Sequence, residues 1–404
     1  MLSNIAWRNI WRNRTRSAVV IGAIILGVWA LVFIMGWMNG MINMFINNII
    51  TNQTSHIQIH DAEYLKEYKS EFVIDNSTKL IADLQHTAGV KAVVPRVVTN
   101  GMASSPRAAK GVLIRGIDPK GEAAVTKLDE QVKEGDFFNN PNKNQVLIGK
   151  KLAEKLKVGV GKKITLQFQD MEGNLTGQAY KIVGLYQSGN NQLDERIVFV
   201  NRTILAKALK NGDNIHEIAL LVDDFDQTHA LAEDLQKKYS DVKIQSYDQV
   251  QPSLKLFKDQ ISMSSTIITL IVMIALIFGI INTMLMAVLE RIKELGVLMA
   301  IGMNKIKIFG MVVLETLILS LIGLPIGVFL GYLTITSLQK TGIDLSAYED
   351  SLAEYGMSSI VYPDFDTSYY LTIVIAVFLT ALLASIYPAV KATRLKPVEA
   401  INKI

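Results

Sequence analysis

Three places in the sequence carry residue types that could do chemistry at the spacing they show. Val158-Gly159-Val160-Gly161-Lys162-Lys163 brings glycines and lysines together, the composition of a loop that cradles phosphate. That chemistry also needs a glycine at position 156 and a Ser or Thr after the first lysine. Leu156 and Lys163 stand there instead, so the stretch reads as a helix-to-strand turn. His56 and His60 alternate in His56-Ile57-Gln58-Ile59-His60 and would share one face of a strand. Two imidazoles without a Cys or an acid at matching spacing do not make a metal site. Glu315 is the third place, the single carboxylate in an apolar run. An acid there is a functional candidate by default, but its nearness to Lys307 fits a structural role, pairing with a cytoplasmic-side Arg or capping a neighbouring helix, and the structural role is favoured. No H-E-x-x-H, no G-x-S-x-G and no paired carboxylates occur, and the remaining acids read as a solvated surface. The chain reads as non-catalytic, able to do work only with energy from another component.

The elements that must position these residues follow from composition. Half of the 404 residues are hydrophobic, 19% are charged, and the mean hydropathy is +0.27. Disorder is excluded by that hydrophobicity, and a net charge of +4 is too small to suggest nucleic acid. The absence of Cys excludes disulfides and thiolate chemistry. Ser17–Ile50, Ile261–Leu289, Ile308–Gln339 and Thr367–Val390 hold one charge among them, Glu315. Each is long enough to cross ~30 Å of hydrocarbon. Arg8, Arg12, Arg14 and Arg16 precede the first run, Arg291, Lys293, Lys305 and Lys307 separate the second from the third, and Lys391, Arg394, Lys396 and Lys403 follow the fourth. The positive-inside rule then places both termini and the 290–307 loop in the cytoplasm. Residues 51–260 and the acidic 340–366 loop fall outside. Residues 1–16 read as an amphipathic segment lying on the inner leaflet, and the first span as an uncleaved anchor rather than a signal peptide.

As one helix, residues 17–50 would be ~51 Å long, more than the bilayer needs. The excess reads as a stalk with Asn39, Asn43 and Asn47 on one face and apolar residues on the other, packed on residues 252–260. An asparagine-lined polar cavity is the rival reading. In the external segment, strands at 56–60, 91–98, 217–222 and 242–246 alternate with helices at 78–86 and 227–239. This pattern predicts a split β-α-β subdomain of ferredoxin-like type. A β-rich insert at about 118–209 carries strands at 164–169, 178–185 and 197–200 and one short helix at 149–156. The fold class is an α-helical membrane protein with four transmembrane helices plus an external α+β domain.

Two stretches are more specific. Glu290-Arg291-Ile292-Lys293-Glu294-Leu295-Gly296-Val297-Leu298-Met299-Ala300-Ile301-Gly302 follows the second span. Tyr387-Pro388-Ala389-Val390-Lys391-Ala392-Thr393-Arg394-Leu395-Lys396-Pro397-Val398-Glu399-Ala400-Ile401 closes the fourth. Together they resemble the permease subunits of MacB/FtsX/LolC-type ABC transporters. The resemblance implies that the first stretch is a coupling helix docking on a separate ATPase, with Glu290, Arg291, Glu294, Leu295, Gly296, Leu298, Met299, Ala300 and Gly302 as its residues. Leu295, Leu298, Met299 and Ile301 would face the partner, with Arg291, Lys293 and Glu294 as a polar rim. The second stretch, with Pro388, Ala389, Ala392, Pro397 and Ala400, would close the last span and run along the inner surface. Trp7-Arg8-Asn9-Ile10-Trp11-Arg12-Asn13-Arg14, the His56–His60 strand, Gly116-Ile117-Asp118-Pro119 and Leu147-Ile148-Gly149-Lys150-Lys151-Leu152-Ala153 narrow the resemblance toward the LolC/LolE-like, lipoprotein-releasing branch.

The resemblance implies partners rather than cofactors. ATP and Mg would sit on a cytoplasmic ATPase dimer and none on this chain. A second permease chain, identical or related, would complete the unit, and a periplasmic lipoprotein carrier could take the cargo. Met35, Met38, Ile42 and Phe45, opposite Ile267, Ile268 and Ile271 of the second chain, would line the cargo cleft. Alternatives are MacB-like export of small molecules or peptides, FtsX-like signalling to an external hydrolase, and an anchored adhesin, which leaves both cytoplasmic stretches unexplained.

Overall fold

The computed structural model describes residues 2–12, 14–67, 69–140, 142–365 and 367–394. A short amphipathic helix α1 (Leu2–Arg12) buries Ala6 and Ile10 and leaves Trp7 and Trp11 exposed. After it, α2 (Arg14–Ile49) runs without a break into a π-helical turn at Ile50–Thr54. The helix stops at Ser55, whose φ of 55° turns the chain out of the helical path while its N–H still reaches Ile50 O. Contacts divide the chain into two compact units. One holds the membrane helices and α2 up to Asn43; the other comprises Met44–Phe257 with Asp344–Ile360.

The globular unit is built on one sheet path. Its strands are β1 (Ile57–His60), β2 (Val90–Ser104), β3 (Ala109–Ile117), β4 (Val132–Gly135), β5 (Gln145–Gly149), β6 (Lys163–Gln169), β7 (Leu175–Tyr186), β8 (Ile197–Asn201), β9 (Glu217–Val222) and β10 (Lys243–Ser246). Between them lie α3 (Tyr64–Glu67), α4 (Ser77–Gln85), α5 (Pro119–Thr126), α6 (Lys150–Leu156), α7 (Asn191–Arg196), α8 (Arg202–Leu209), α9 (Thr228–Lys238) and α10 (Tyr247–Val250). The order β10-β1-β9-β2, antiparallel throughout, is the split β-α-β arrangement that the alternation predicts. Asp224 accepts from Asp226 N at the start of the turn into α9.

The insert differs from expectation in two respects. Its boundary is not at Asp118, because β2 itself crosses over. Residues 90–96 of β2 pair with β9, and residues 97–104 pair with β3. The change of partner follows Pro95, which has no N–H to donate to a ladder. The insert also holds four helices, α5 to α8, rather than one. Asn190 and Asn201 start α7 and α8 by accepting from the first-turn N–H groups, a signal present in the sequence and overlooked. One apolar core runs through both halves, from Ile57, Leu84 and Ile218 to Val146, Leu166 and Val198.

The membrane unit continues with α11 (Ser253–Glu290), α12 (Ile292–Ala300), α13 (Lys305–Thr341) and, after α14 (Glu349–Glu354) of the globular unit, α15 (Thr367–Thr393). Arg14–Thr54, Ser253–Glu290, Lys305–Thr341 and Tyr369–Thr393 are long and apolar enough to cross a membrane. Glycines bring α2 and α13 together. A Cβ on Gly323 would stand 3.0 Å from Ile24, on Gly327 2.7 Å from Val28, and on Gly331 2.5 Å from Val32. This spacing of four residues lets two backbones approach where lipid supplies no hydrophobic drive between helices. Beyond the stripe, Asp364 accepts from Asn43 (2.8 Å) and Gln339 (3.0 Å), tying the far ends of α2 and α13.

Candidate functional site

The 290–302 stretch forms a short helix between two long ones. Arg291 leaves the helical path with ψ at 17° and ends α11. At the other end Gly302, at a φ of +97°, reverses the chain; a side chain there would be strained. Asn304 then accepts from Ile306 N to start α13. Glu290 and Glu294 are exposed, and each is ion-paired to the N-terminal basic segment, Glu290 with Arg16 and Glu294 with Arg12.

Two assignments on this helix change. Leu295 is buried at 4% exposure and belongs to the core of its own bundle, with Leu298 and Met299 packed beside it. Gly296 is buried as well. The residues that face outward are Lys293, Glu294, Val297, Ala300, Ile301 and Gly302. Arg291 is not on the rim either. Its guanidinium is buried and donates to Glu315 Oε1 and Oε2 at 3.1 and 3.2 Å and to Asn9 O at 3.1 Å. One ion pair therefore fixes α12 to α13 and α1 together, and Glu315 has the structural partner that its shallow position suggests. Breaking such a pair from one side leaves an uncompensated charge.

In the second stretch, Pro388 lies inside α15, and Ala389 and Ala392 are fully buried. The last span therefore extends to Thr393 rather than ending at Val390. Pro397 and Ala400 lie outside the described residues. The cargo cleft is expected between two chains, and this chain places its seven residues as follows. Ile267 and Ile271 are exposed and Ile268 is half-buried. Ile42 is 9% exposed, Met35 packs against the helical core, and Met38 is half-buried. The Phe45 ring packs on Phe257 with centroids 4.0 Å apart, which is the stalk packing expected of residues 252–260.

A second constellation escaped the sequence. Arg96 on β2, Arg115 on β3, Glu122 on α5 and Glu217 on β9 are all buried. Arg96 donates from Nε (2.9 Å) and Nη2 (2.6 Å) to Glu122 and from Nη1 to Glu217 (2.6 Å). Arg115 donates to Asn52 O and Gln53 O at 3.3 and 3.4 Å. Those carbonyls end the stalk helix, where the backbone dipole is negative and a cation is favoured. Burial opposes the charge on Arg96, but Glu122 and Glu217 outweigh it and hold its pKa above the ordinary range. Burial likewise pushes Glu217 up, and Arg115 and Arg96 bring it below its ordinary value. Asn52 and Asn48 add side-chain bonds to Ser188 O, and the Ser188 turn is held by buried Asp194. Acids read as a solvated surface thus include two at the centre of a joint. Their separations, 26 residues from Arg96 to Glu122 and 121 from Arg96 to Glu217, hide them from any local pattern.

The histidines have ordinary partners. His56 Nδ1 accepts from Val222 N, and His60 is buried against Tyr64. Among the described residues no group of three or more His, Asp or Glu could hold a metal ion.

Residues 17–238 match the MacB-like periplasmic core domain and residues 266–397 the FtsX-like permease C-terminal domain. The lipoprotein-releasing system transmembrane protein LolC of Xylella fastidiosa is 22% identical over 79% of this chain and 81% of its own. The macrolide export ATP-binding/permease protein MacB of Campylobacter jejuni is 28% identical over 56% of this chain and 34% of its own. The solved periplasmic region of MacB from Actinobacillus actinomycetemcomitans is similar over 52% of this chain and 96% of its own, at 15% identity and a TM-score of 0.37. With one family spanning the first helix and the globular domain and the other the three helices around α12, the chain belongs to the MacB/FtsX/LolC-type ABC transporter permeases.

Proposed function

We propose that this chain is the membrane lever of a transporter that releases lipoproteins from the inner membrane, powered by a separate cytoplasmic ATPase dimer that binds ATP and Mg. The observation that carries the lever is α12, locked to α13 and α1 by the Arg291–Glu315 pair while Lys293, Val297, Ala300 and Ile301 face outward. A push on that face by a closing ATPase dimer cannot be absorbed by a loose loop; it tilts α11 and α13. Both termini are then cytoplasmic and the globular domain periplasmic. Two permease chains, identical or related, make the working unit.

The lipoprotein reading is supported by the extent of the similarity to LolC, which covers most of both chains. It also suits the energetics. Each buried methylene of a lipid anchor contributes about 0.8 kcal/mol, so extracting several acyl chains costs tens of kcal/mol and needs external work. A soluble periplasmic carrier is the natural acceptor. Depleting the chain and fractionating lipoproteins between the two membranes tests the proposal. Accumulation of outer-membrane lipoproteins in the inner membrane supports it, and an unchanged distribution overturns it. The second reading, MacB-like export of small molecules or peptides, draws on the higher identity to MacB over a shorter stretch; in that case an outer-membrane duct, not a carrier, co-purifies. A cell-wall hydrolase as the co-purifying protein would mark FtsX-like signalling.

A further inference from the structure

Beside α12, and lined in part by its outward-facing Lys293 and Val297, the membrane unit contains a cavity of about 520 Å³ between α1, α11, α12 and α13. Its apolar walls are provided by the spans themselves, with Met284 and Val288 from α11 and Met311 and Val312 from α13. Arg12, Arg291 and Lys293 line it against Glu294 and Glu315, so positive charge is in excess. The buried Arg291 side chain uses both terminal nitrogens, yet its Nε–H has no hydrogen-bond partner among the described residues, and the nearest carboxylate, Glu294 Oε2, is 3.9 Å away. A buried donor left unpaired carries a desolvation cost that an acceptor would remove. The neighbouring α1 exposes Trp7 and Trp11, with rings 5.9 Å apart, residues that settle at headgroup depth. Ala300 and Ile301, which face outward from α12, do not line the cavity.

We infer that this cavity binds one anionic phospholipid. An acyl chain lies along the apolar walls, and the phosphate pairs with the exposed cations of the lining, Lys293 and Arg12. A water-soluble anion would leave the walls wet, and a neutral lipid would leave the excess charge unmatched. The site requires only that α11 and α13 span a bilayer, so it stands or falls independently of what cargo the transporter handles.

Native mass spectrometry of the full-length chain in neutral detergent tests the inference, with added phosphatidylglycerol, phosphatidylcholine or inorganic phosphate as probes. One phosphatidylglycerol should be retained per chain, with phosphatidylcholine lost and millimolar phosphate unable to displace the lipid. Lys293→Glu, at an exposed position that spares the core, should weaken retention by about tenfold or more, and Val297→Trp should do so by filling the mouth. Lys307→Glu, outside the lining, should retain lipid as the unmodified chain does. Equal retention of phosphatidylcholine, displacement by phosphate alone, or unaltered retention in Lys293→Glu each overturns the inference. So does an empty cavity that becomes protected only when the ATPase is added, which would make it a protein seat.

Discussion

Arg96 shows how much a single residue can hold. Its three guanidinium nitrogens serve two carboxylates from different parts of the domain, and it is fully buried. Arg96→Met should therefore destabilise the globular domain by about 3–5 kcal/mol, because Glu122 and Glu217 are left buried without their partner. Thermal unfolding of the full-length protein in detergent measures this, and adding Glu122→Gln and Glu217→Gln to the same chain should recover part of the loss. Asp194 makes a pH-dependent contribution. Burial raises its pKa from the ordinary 3.8 to about 6, against the pull of the Ser188 hydrogen bonds. The folded state thus binds a proton more readily than the unfolded one, so this contribution favours folding at low pH and is lost as pH rises through about 6. The difference is worth roughly 3 kcal/mol at most. Asp194→Asn should flatten that part of the melting-temperature profile between about pH 4 and 6. Glu217, shifted the other way, acts in the opposite sense at more acidic pH. None of these roles was legible in the sequence, where a buried acid and a solvated one are the same letter. Glu315 was legible because an apolar run surrounded it.

At the scale of elements, periodicity served well wherever one face of an element met a core and the other met solvent. The order β10-β1-β9-β2 and the helices α4 and α9 follow from alternation and turn residues alone. Periodicity failed at β2, a long strand that changes partner from β9 to β3 and carries no mark of the change except Pro95. It also failed at α12. An apolar stripe of Leu295, Leu298 and Met299 is the same whether it faces a partner or its own bundle, and here the bundle takes it. The glycine stripe of α13 gives a direct test of packing. Gly327→Leu places a side chain where a Cβ alone meets Val28 at 2.7 Å and Ile25 O at 2.9 Å. The α2–α13 pair must separate, so Gly327→Leu should lower the melting temperature of the full-length protein in detergent. Gly302→Ala should cost about 1–2 kcal/mol through its left-handed backbone alone.

At the scale of the molecule, α2 and α11 each run without a break from one unit into the other. Arg291→Met should leave Glu315 without its partner and loosen α12 from α13. The expected result is ATP hydrolysis that continues without lipoprotein release, read by measuring both in reconstituted vesicles. Glu294→Ala and Gly302→Trp should uncouple in the same way while the chain still inserts in the membrane. Normal release in all three would remove α12 from the transmission path. The buried arginine joint bears on how such a protein can change over time. Its four charges come from β2, β3, α5 and β9, so the inserted subdomain and the split subdomain each hold part of a neutral set. Exchanging the insert for a relative's, or deleting it, takes Glu122 from Arg96 Nε and Nη2 and leaves those two donors without their acceptor. Chimaeras cut between the two subdomains should therefore be less stable than the parent even when every strand is preserved.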